Sequence, residues 1–221
     1  MIPKKIHYCW FGHNKKSPEF EKFLATWKKH LPDYEIIEWN EDNFDVNAYR
    51  YSSEAHSMGC YAHVSDVCRI HVLNEIGGIY FDTDVEVLAS FDRFLKFESF
   101  LGTEHQHVGA GIIGAVAGAP WLRKYLDYYS RRHFINPLGH PRRMANTEII
   151  TYKILPSIPA HEWPAIFPKD YFSAIDWHTK EAGITENTVS IHHYQSSWRH
   201  KRTLEDRILI LYRGIRNRYF R

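Results

Sequence analysis

Cysteine is scarce in these 221 residues: Cys9, Cys60 and Cys68 form an odd set with no Cys-x-x-Cys spacing. That excludes a disulfide framework or a zinc ribbon and suits a reducing compartment. Long hydrophobic runs are missing too, since none approaches the roughly 20 apolar residues that span a bilayer. The opening Met1-Ile2-Pro3-Lys4-Lys5 leads straight into a strand-like segment without the apolar core of a secretory leader, so a cytoplasmic location is expected. Neither internal repeats nor low-complexity tracts are visible, which removes solenoids and propellers. Neither charge is in large excess, with 28 Lys+Arg against 26 Asp+Glu. What is present is core-forming material: 44% hydrophobic, 15% aromatic and 24% charged residues compose a globular domain, not a disordered chain or coiled coil.

Charge is nevertheless unevenly placed. Residues 199–221 hold eight basic side chains (Arg199, Lys201, Arg202, Arg207, Arg213, Arg216, Arg218 and Arg221) against Glu205 and Asp206. Leu204, Ile208, Leu211 and Ile215 fall on one helical face, so this segment reads as a basic amphipathic helix. Such a helix serves as a membrane-surface element at the inner leaflet, or as a docking helix with a solvated cationic face. No recognition fold accompanies the basic patch, and no nucleic-acid partner is expected. The chain therefore divides into a domain over 1–198 and a basic tail over 199–221.

Along the domain, short strands and helices alternate. Residues 6–10 read as a strand ended by Gly12, and Ser17-Pro18-Glu19 opens a helix with Phe20, Phe23, Leu24 and Trp27 on one face. Residues 34–39 form a second strand, and 53–76 one long helix stopped by Gly77-Gly78. Ile79-Tyr80-Phe81 is a short buried strand, followed by a glycine-rich extended stretch over 108–119. A helix opened by Pro120, another near 146–155 and a strand over 189–194 complete the domain. This alternation predicts an α/β fold with a mostly parallel central sheet.

The chemistry concentrates in Gly77-Gly78-Ile79-Tyr80-Phe81-Asp82-Thr83-Asp84. Two carboxylates two residues apart can converge on one hard divalent cation, and oxygen ligands of this kind select Mg²⁺ or Mn²⁺ over zinc. With eleven Asp in the chain, an Asp-x-Asp pair arises by chance at a rate of roughly 0.5 per sequence, so the bare pattern carries little. Context carries more. A helix, a Gly-Gly stop and an apolar strand put the acids at a strand's carboxyl end, where open α/β sheets bind ligands. A solvated acidic turn is the bland alternative.

This segment resembles the DXD signature of nucleotide-sugar glycosyltransferases with the GT-A fold, specifically glycosyltransferase family 32. Other segments agree in order: Ile2 to Gly12 is similar to the family's opening strand, and Trp27-Lys28-Lys29 with Pro32-Asp33-Tyr34-Glu35 to its first helix and second strand. Ser65-Asp66-Val67-Cys68-Arg69 resembles its SD-x-x-R helix, and Ile191-His192-His193-Tyr194 with Ser197-Trp198 its closing motif. The resemblance implies a metal-dependent, retaining transfer of a hexose from a UDP- or GDP-linked donor. The acceptor would be a glycan or a polyprenyl- or lipid-linked molecule in surface-polysaccharide or lipopolysaccharide assembly. It implies that Trp10 stacks on the nucleobase, that Asp82 touches the ribose and a metal-bound water, and that Asp84 ligates the metal. Asp66 and Arg69 would hold donor-sugar hydroxyls, with Tyr80 lining that pocket. Asn146 belongs to the region expected to shape the sugar and acceptor pockets. His192 or His193 would approach the metal, and Ser196 or Ser197 with Trp198 would cap the β-phosphate.

The residues leave several points open. Trp10 also fits an ordinary core position, and Asp66 with Arg69 fits an i,i+3 helix pair. Alternation on a strand turns only one of His192 and His193 toward the site. No residue declares itself as the carboxylate nucleophile of a double displacement; front-face attack is what the family resemblance implies. Gly109-Ala110-Gly111-Ile112-Ile113-Gly114 matches G-x-G-x-x-G, but Gly118 and Pro120 interrupt the helix that a dinucleotide fingerprint needs. The alternatives to a transferase are a non-catalytic nucleotide-sugar-binding or membrane-surface protein, and a phosphatase of the haloacid-dehalogenase kind. The phosphatase pattern lacks its Thr or Val at position 86, which is Glu86.

Overall fold

A computed structural model describes residues 1–142, 144–175, 179 and 181–195. The basic helix expected beyond Leu204, and the candidate residues Ser196, Ser197 and Trp198, lie outside the described residues. Within them, strand β1 (Lys5–Cys9) leads to helix α1 (Pro18–His30), whose first turn is capped by the Ser17 hydroxyl accepting from the Phe20 amide at 3.1 Å. Strand β2 (Glu35–Trp39) follows, in parallel register with β1.

Where one long helix is expected over 53–76, there are two: α2 (Arg50–Ser57) and α3 (Tyr61–Ile76). The break is a glycine-based helix stop. Gly59 has φ +65°, its amide donates to the His56 carbonyl at 2.9 Å, and the Cys60 amide reaches back to Ala55 at 2.9 Å. Helix α3 is buried around most of its girth, Asp66 and Arg69 included, as a central helix must be. It ends at Gly77-Gly78, both at positive φ, and passes at once into strand β3 (Gly78–Phe81). A Cβ on Gly78 would lie 2.8 Å from the His7 ring and from the Lys5 carbonyl, so glycine is what lets β3 pair with β1.

Strand β4 (Val85–Val87) leaves the main sheet, and β5 (Ser99–Glu104) and β6 (His107–Ala115) form a hairpin. Helix α4 (Pro120–Ser130) begins at Pro120 as its sequence predicts. The segment expected as a helix over 146–155 is composite: α5 (Asn146–Ile149), a π-helical turn over Ile150–Ile154, then a 3₁₀ turn. Strand β7 (Ala165–Phe167), helix α6 (Lys169–Phe172) and strand β8 (Ser190–His192) complete the fold, β8 being shorter than the expected 189–194.

The six-stranded sheet has the order β2-β1-β3-β6-β5-β7, and β4 pairs with β8 in a separate ribbon. The pairings β1–β2, β1–β3 and β5–β7 are parallel, so the predicted predominance holds, but the sheet is mixed. The tight β5–β6 hairpin forces an antiparallel pair, and β6 then runs antiparallel to β3 as well. Alternation along the strands supplies both faces. Tyr80 and Ile113 pack against α3 and α4, whereas Ile79, Phe81 and Ile112 join Phe20, Trp27, Phe91 and Phe172 on the other side. Parallel neighbours β1 and β3 thus end at one edge, and Trp10, Asp82 and Asp84 follow their carboxyl ends.

Candidate active site

Period-two alternation puts Tyr80 and Asp82 on the α3 face of β3, where Arg69 lies. The Arg69 guanidinium rests over the Tyr80 ring, 4.5 Å from its centroid, and donates to the Ala110 carbonyl of β6 at 2.7 Å. Its other end is 3.1 Å from Asp66 and 3.2 Å from Asp82, and the Tyr80 hydroxyl donates to Asp82 at 2.9 Å. Arg69 therefore ties the SD-x-x-R helix to the first acid of the DXD turn. Tyr80, expected to line the sugar pocket, is only 1% exposed and supports Arg69 from beneath.

Asp66 is 7% exposed. Burial pushes its carboxyl up, but Arg69 and His63, with the Asn146 amide donating at 2.8 Å, outweigh that and hold it ionised below the ordinary range. Asn146, at the start of α5, thus grips Asp66. A carboxylate kept ionised in a buried setting is a strong acceptor for hydroxyls.

Strand β8 answers which histidine faces the acids. His192 Nε2 lies 3.1 Å from Asp84 and 3.9 Å from Asp82, while His193 turns to the other side, pairing with Glu86 at 2.8 Å and stacking on Phe23. Asp82, Asp84 and His192 each offer a ligand atom, all within 4.8 Å of one another. Two carboxylates and one imidazole suit a hard or borderline divalent cation such as Mn²⁺, so the residues present fit the metal that the sequence suggests.

The charges are strongly coupled. Burial, reinforced by Asp84, raises the Asp82 carboxyl despite Arg69 and His192, although 26% of its side-chain surface is open. Burial pushes Asp84 up as well, but His192 and the Gln195 amide, donating at 2.8 Å, outweigh it and hold Asp84 at about 2. Burial pulls His192 down, yet Asp84 and Glu104 lift it well above its ordinary value. A site that holds this much negative charge in poor solvent is electrostatically suited to a cation.

Trp10 is half-buried beside Phe20, ring centroids 5.1 Å apart, and its indole N–H donates to the Asn14 carbonyl at 2.8 Å. With that donor in use, only the ring's π surface is available to a base. The glycine-rich stretch at 109–114 lies in strand β6, so it is no dinucleotide turn. Sequence reasoning missed Glu104, which lies 3.2 Å from the other nitrogen of His192, because nothing local distinguishes it from a surface acid.

Residues 17–101 match the family model described as glycosyltransferase sugar-binding region containing DXD motif, a span that includes Asp66, Arg69, Asp82 and Asp84. Inositol phosphoceramide mannosyltransferase 3 of Schizosaccharomyces pombe is 25% identical over 219 residues, covering 87% of this chain and 60% of that protein. Subversion of eukaryotic traffic protein A of Legionella pneumophila is 27% identical over 119 residues, 41% of this chain and 18% of its own length. The chain thus spans 60% or less of the length of these curated relatives. Among solved structures, a glycosyltransferase involved in the glycosylation of the major capsid of PBCV-1 shares the fold. Its TM-score is 0.51 at 10% identity, over 86% of this chain and 94% of that one.

Proposed function

We propose that this chain, whose residues 17–101 match the DXD-containing sugar-binding region of glycosyltransferases, transfers a hexose from a nucleoside-diphosphate sugar to an acceptor hydroxyl with a divalent cation bound. The observation that carries the reading is the convergence of Asp82, Asp84 and His192 beside the buried Asp66–Arg69 pair. One half of the site suits a metal-bound diphosphate and the other a polyhydroxylated ring.

Asp82, Asp84 and His192 would hold the cation, which when bound neutralises charge on the departing diphosphate. Asp66 accepts hydrogen bonds from donor-sugar hydroxyls, kept ionised by Arg69, His63 and Asn146. Arg69 sets the distance between the sugar and metal halves by bridging Asp66 and Asp82. Trp10 stacks on the base at the carboxyl end of β1. Retention of configuration by front-face attack, with the leaving phosphate receiving the acceptor's proton, follows the family 32 resemblance.

The acceptor we favour is a lipid-linked or membrane-surface glycan. A curated relative is named for mannosyl transfer to inositol phosphoceramide, and the tail over 199–221 has the composition of a membrane-surface helix. No helix among the described residues is long and apolar enough to cross a membrane. We place the protein at the cytoplasmic face of such a membrane.

Thermal unfolding with UDP or GDP, each with and without Mn²⁺, tests the site. A ligand at 100 times its dissociation constant stabilises by about 2.7 kcal/mol. One nucleotide should raise the melting temperature only when Mn²⁺ is present, and Asp84→Asn should abolish that rise while leaving the unliganded melt in place. A shift that is independent of Mn²⁺, or retained in Asp84→Asn, overturns the metal-dependent reading.

A further inference from the structure

A metal-bound imidazole must present a bare nitrogen to the ion, so its proton has to sit on the other one. His192 has a carboxylate at each end: Nε2 is 3.1 Å from Asp84, and Nδ1 is 3.2 Å from Glu104. Glu104 is the last residue of β5, far from β8 in sequence, and both side chains are well shielded, 12% and 10% exposed. When a cation takes the place of the Nε2 proton, a carboxylate on Nδ1 keeps the remaining proton there and fixes the ring's orientation, an effect strengthened by low-dielectric surroundings.

The neighbouring strand is bare where these side chains pass. Gly109 and Gly111 lie on one face of β6. A Cβ on Gly109 would come within 2.5 Å of Glu104 Oε1. A Cβ on Gly111 would come within 2.7 Å of the His192 ring and 3.2 Å of Asp82 Oδ2. Neither glycine has the positive φ that would otherwise account for it. The same stretch of backbone also works for the site: the Gly111 carbonyl accepts from the Asp82 amide at 2.8 Å, and the Ala110 carbonyl accepts from Arg69.

We propose that Glu104 is a positioning residue that holds His192 with Nε2 aimed at Asp82 and Asp84, and that Gly109 and Gly111 form the cradle that admits both side chains. The proposal rests on the metal-site reading above and adds residues to it. In this assignment Glu104 acts through His192, whose Nδ1 it holds.

The test is Mn²⁺ binding to the full chain without nucleotide, followed by the electron paramagnetic resonance signal of free Mn²⁺. Pulsed measurement of imidazole ¹⁴N coupling on the bound ion accompanies it. Glu104→Gln should weaken Mn²⁺ binding by about 10–100-fold and diminish the ¹⁴N coupling. Gly111→Ala, which keeps Glu104, should do the same by displacing the ring, and serves if the Glu104 variant is poorly folded. A purely structural Glu104 would shift the melting temperature but leave affinity and ¹⁴N coupling of the folded protein unchanged, and that result overturns the proposal. If the wild-type chain binds Mn²⁺ without any ¹⁴N coupling, the assignment of His192, and with it that of Glu104, is refuted while the two acids stand. Failure of the wild-type chain to bind Mn²⁺ at all overturns the metal reading itself and this proposal with it.

Discussion

With its guanidinium within 3.2 Å of both Asp66 and Asp82 and only 5% of its surface exposed, Arg69 has two acidic partners and almost no water. Removing one member of a buried charge network leaves the others without compensation, which costs more than the network contributes net. Replacing Arg69 by Met, similar in length but uncharged, should destabilise the chain by about 3–5 kcal/mol in urea unfolding. A loss below about 1 kcal/mol would mean that water or neighbouring groups compensate the acids, contrary to the burial seen here. At this scale much was legible in sequence. Asp82 and Asp84 follow an apolar strand, and Asp66 with Arg69 interrupts an apolar helix, so their placement in a common site is consistent with their chemistry. The roles of Tyr80 and Asn146 were less legible, because a hydroxyl or amide facing a ligand and one facing a carboxylate leave the same trace in sequence.

Secondary-structure elements show where local signals compete. Apolar periodicity runs through 53–76 and hides the break at Gly59, since one glycine in a helical pattern is often tolerated. Here three capping hydrogen bonds and the positive φ end α2 at Ser57, and α3 begins anew at Tyr61. Nothing lies within 4 Å of a Cβ placed on Gly59, so Gly59→Ala meets only the conformational cost of φ +65°. We expect a destabilisation of about 1–2 kcal/mol in chemical unfolding, with the Mn²⁺ affinity unchanged. A neutral or stabilising result would show that a continuous helix is equally acceptable, refuting Gly59 as the determinant of the break between α2 and α3. The β5–β6 hairpin shows the converse case. Its glycines look like a nucleotide fingerprint by spacing, and tertiary contact shows instead that they give room to Glu104 and His192.

Across the whole molecule, the sheet is held between two apolar layers, and His7 of β1 is fully buried within it. Its Nε2 donates to the Gly77 carbonyl at 2.8 Å and its Nδ1 accepts from the Trp39 indole at 3.1 Å, so the ring is neutral and both nitrogens are in use. Burial depresses the ring below its ordinary 6.5, against a smaller upward effect of the Gly77 carbonyl. The unfolded chain therefore binds a proton that the folded chain refuses. Stability from this group is complete above about pH 6.5 and is lost as pH falls below it, toward the depressed folded value. Urea midpoints at about pH 7.5 and pH 5.5 should fall less steeply in His7→Gln than in the wild type. Equal slopes would show that His7 takes up its proton in the fold at no penalty.

What the sequence determined by itself is whatever depends on neighbours along the chain. The α/β alternation, the capped start of α1, the Gly-Gly passage from α3 into β3 and the Asp-x-Asp turn all follow from propensity, capping and spacing within a few residues. What only the tertiary structure decided is whatever depends on residues brought together from far apart. The antiparallel insertion of β6, the choice of His192 over His193, and the reach of Glu104 from one hairpin to a strand near residue 190 are of this kind. The physical reason is that local free-energy preferences are written within a turn or two of chain. Which carboxylate meets which imidazole is settled by the packing of whole layers, where a side chain's partner carries no mark in its own neighbourhood.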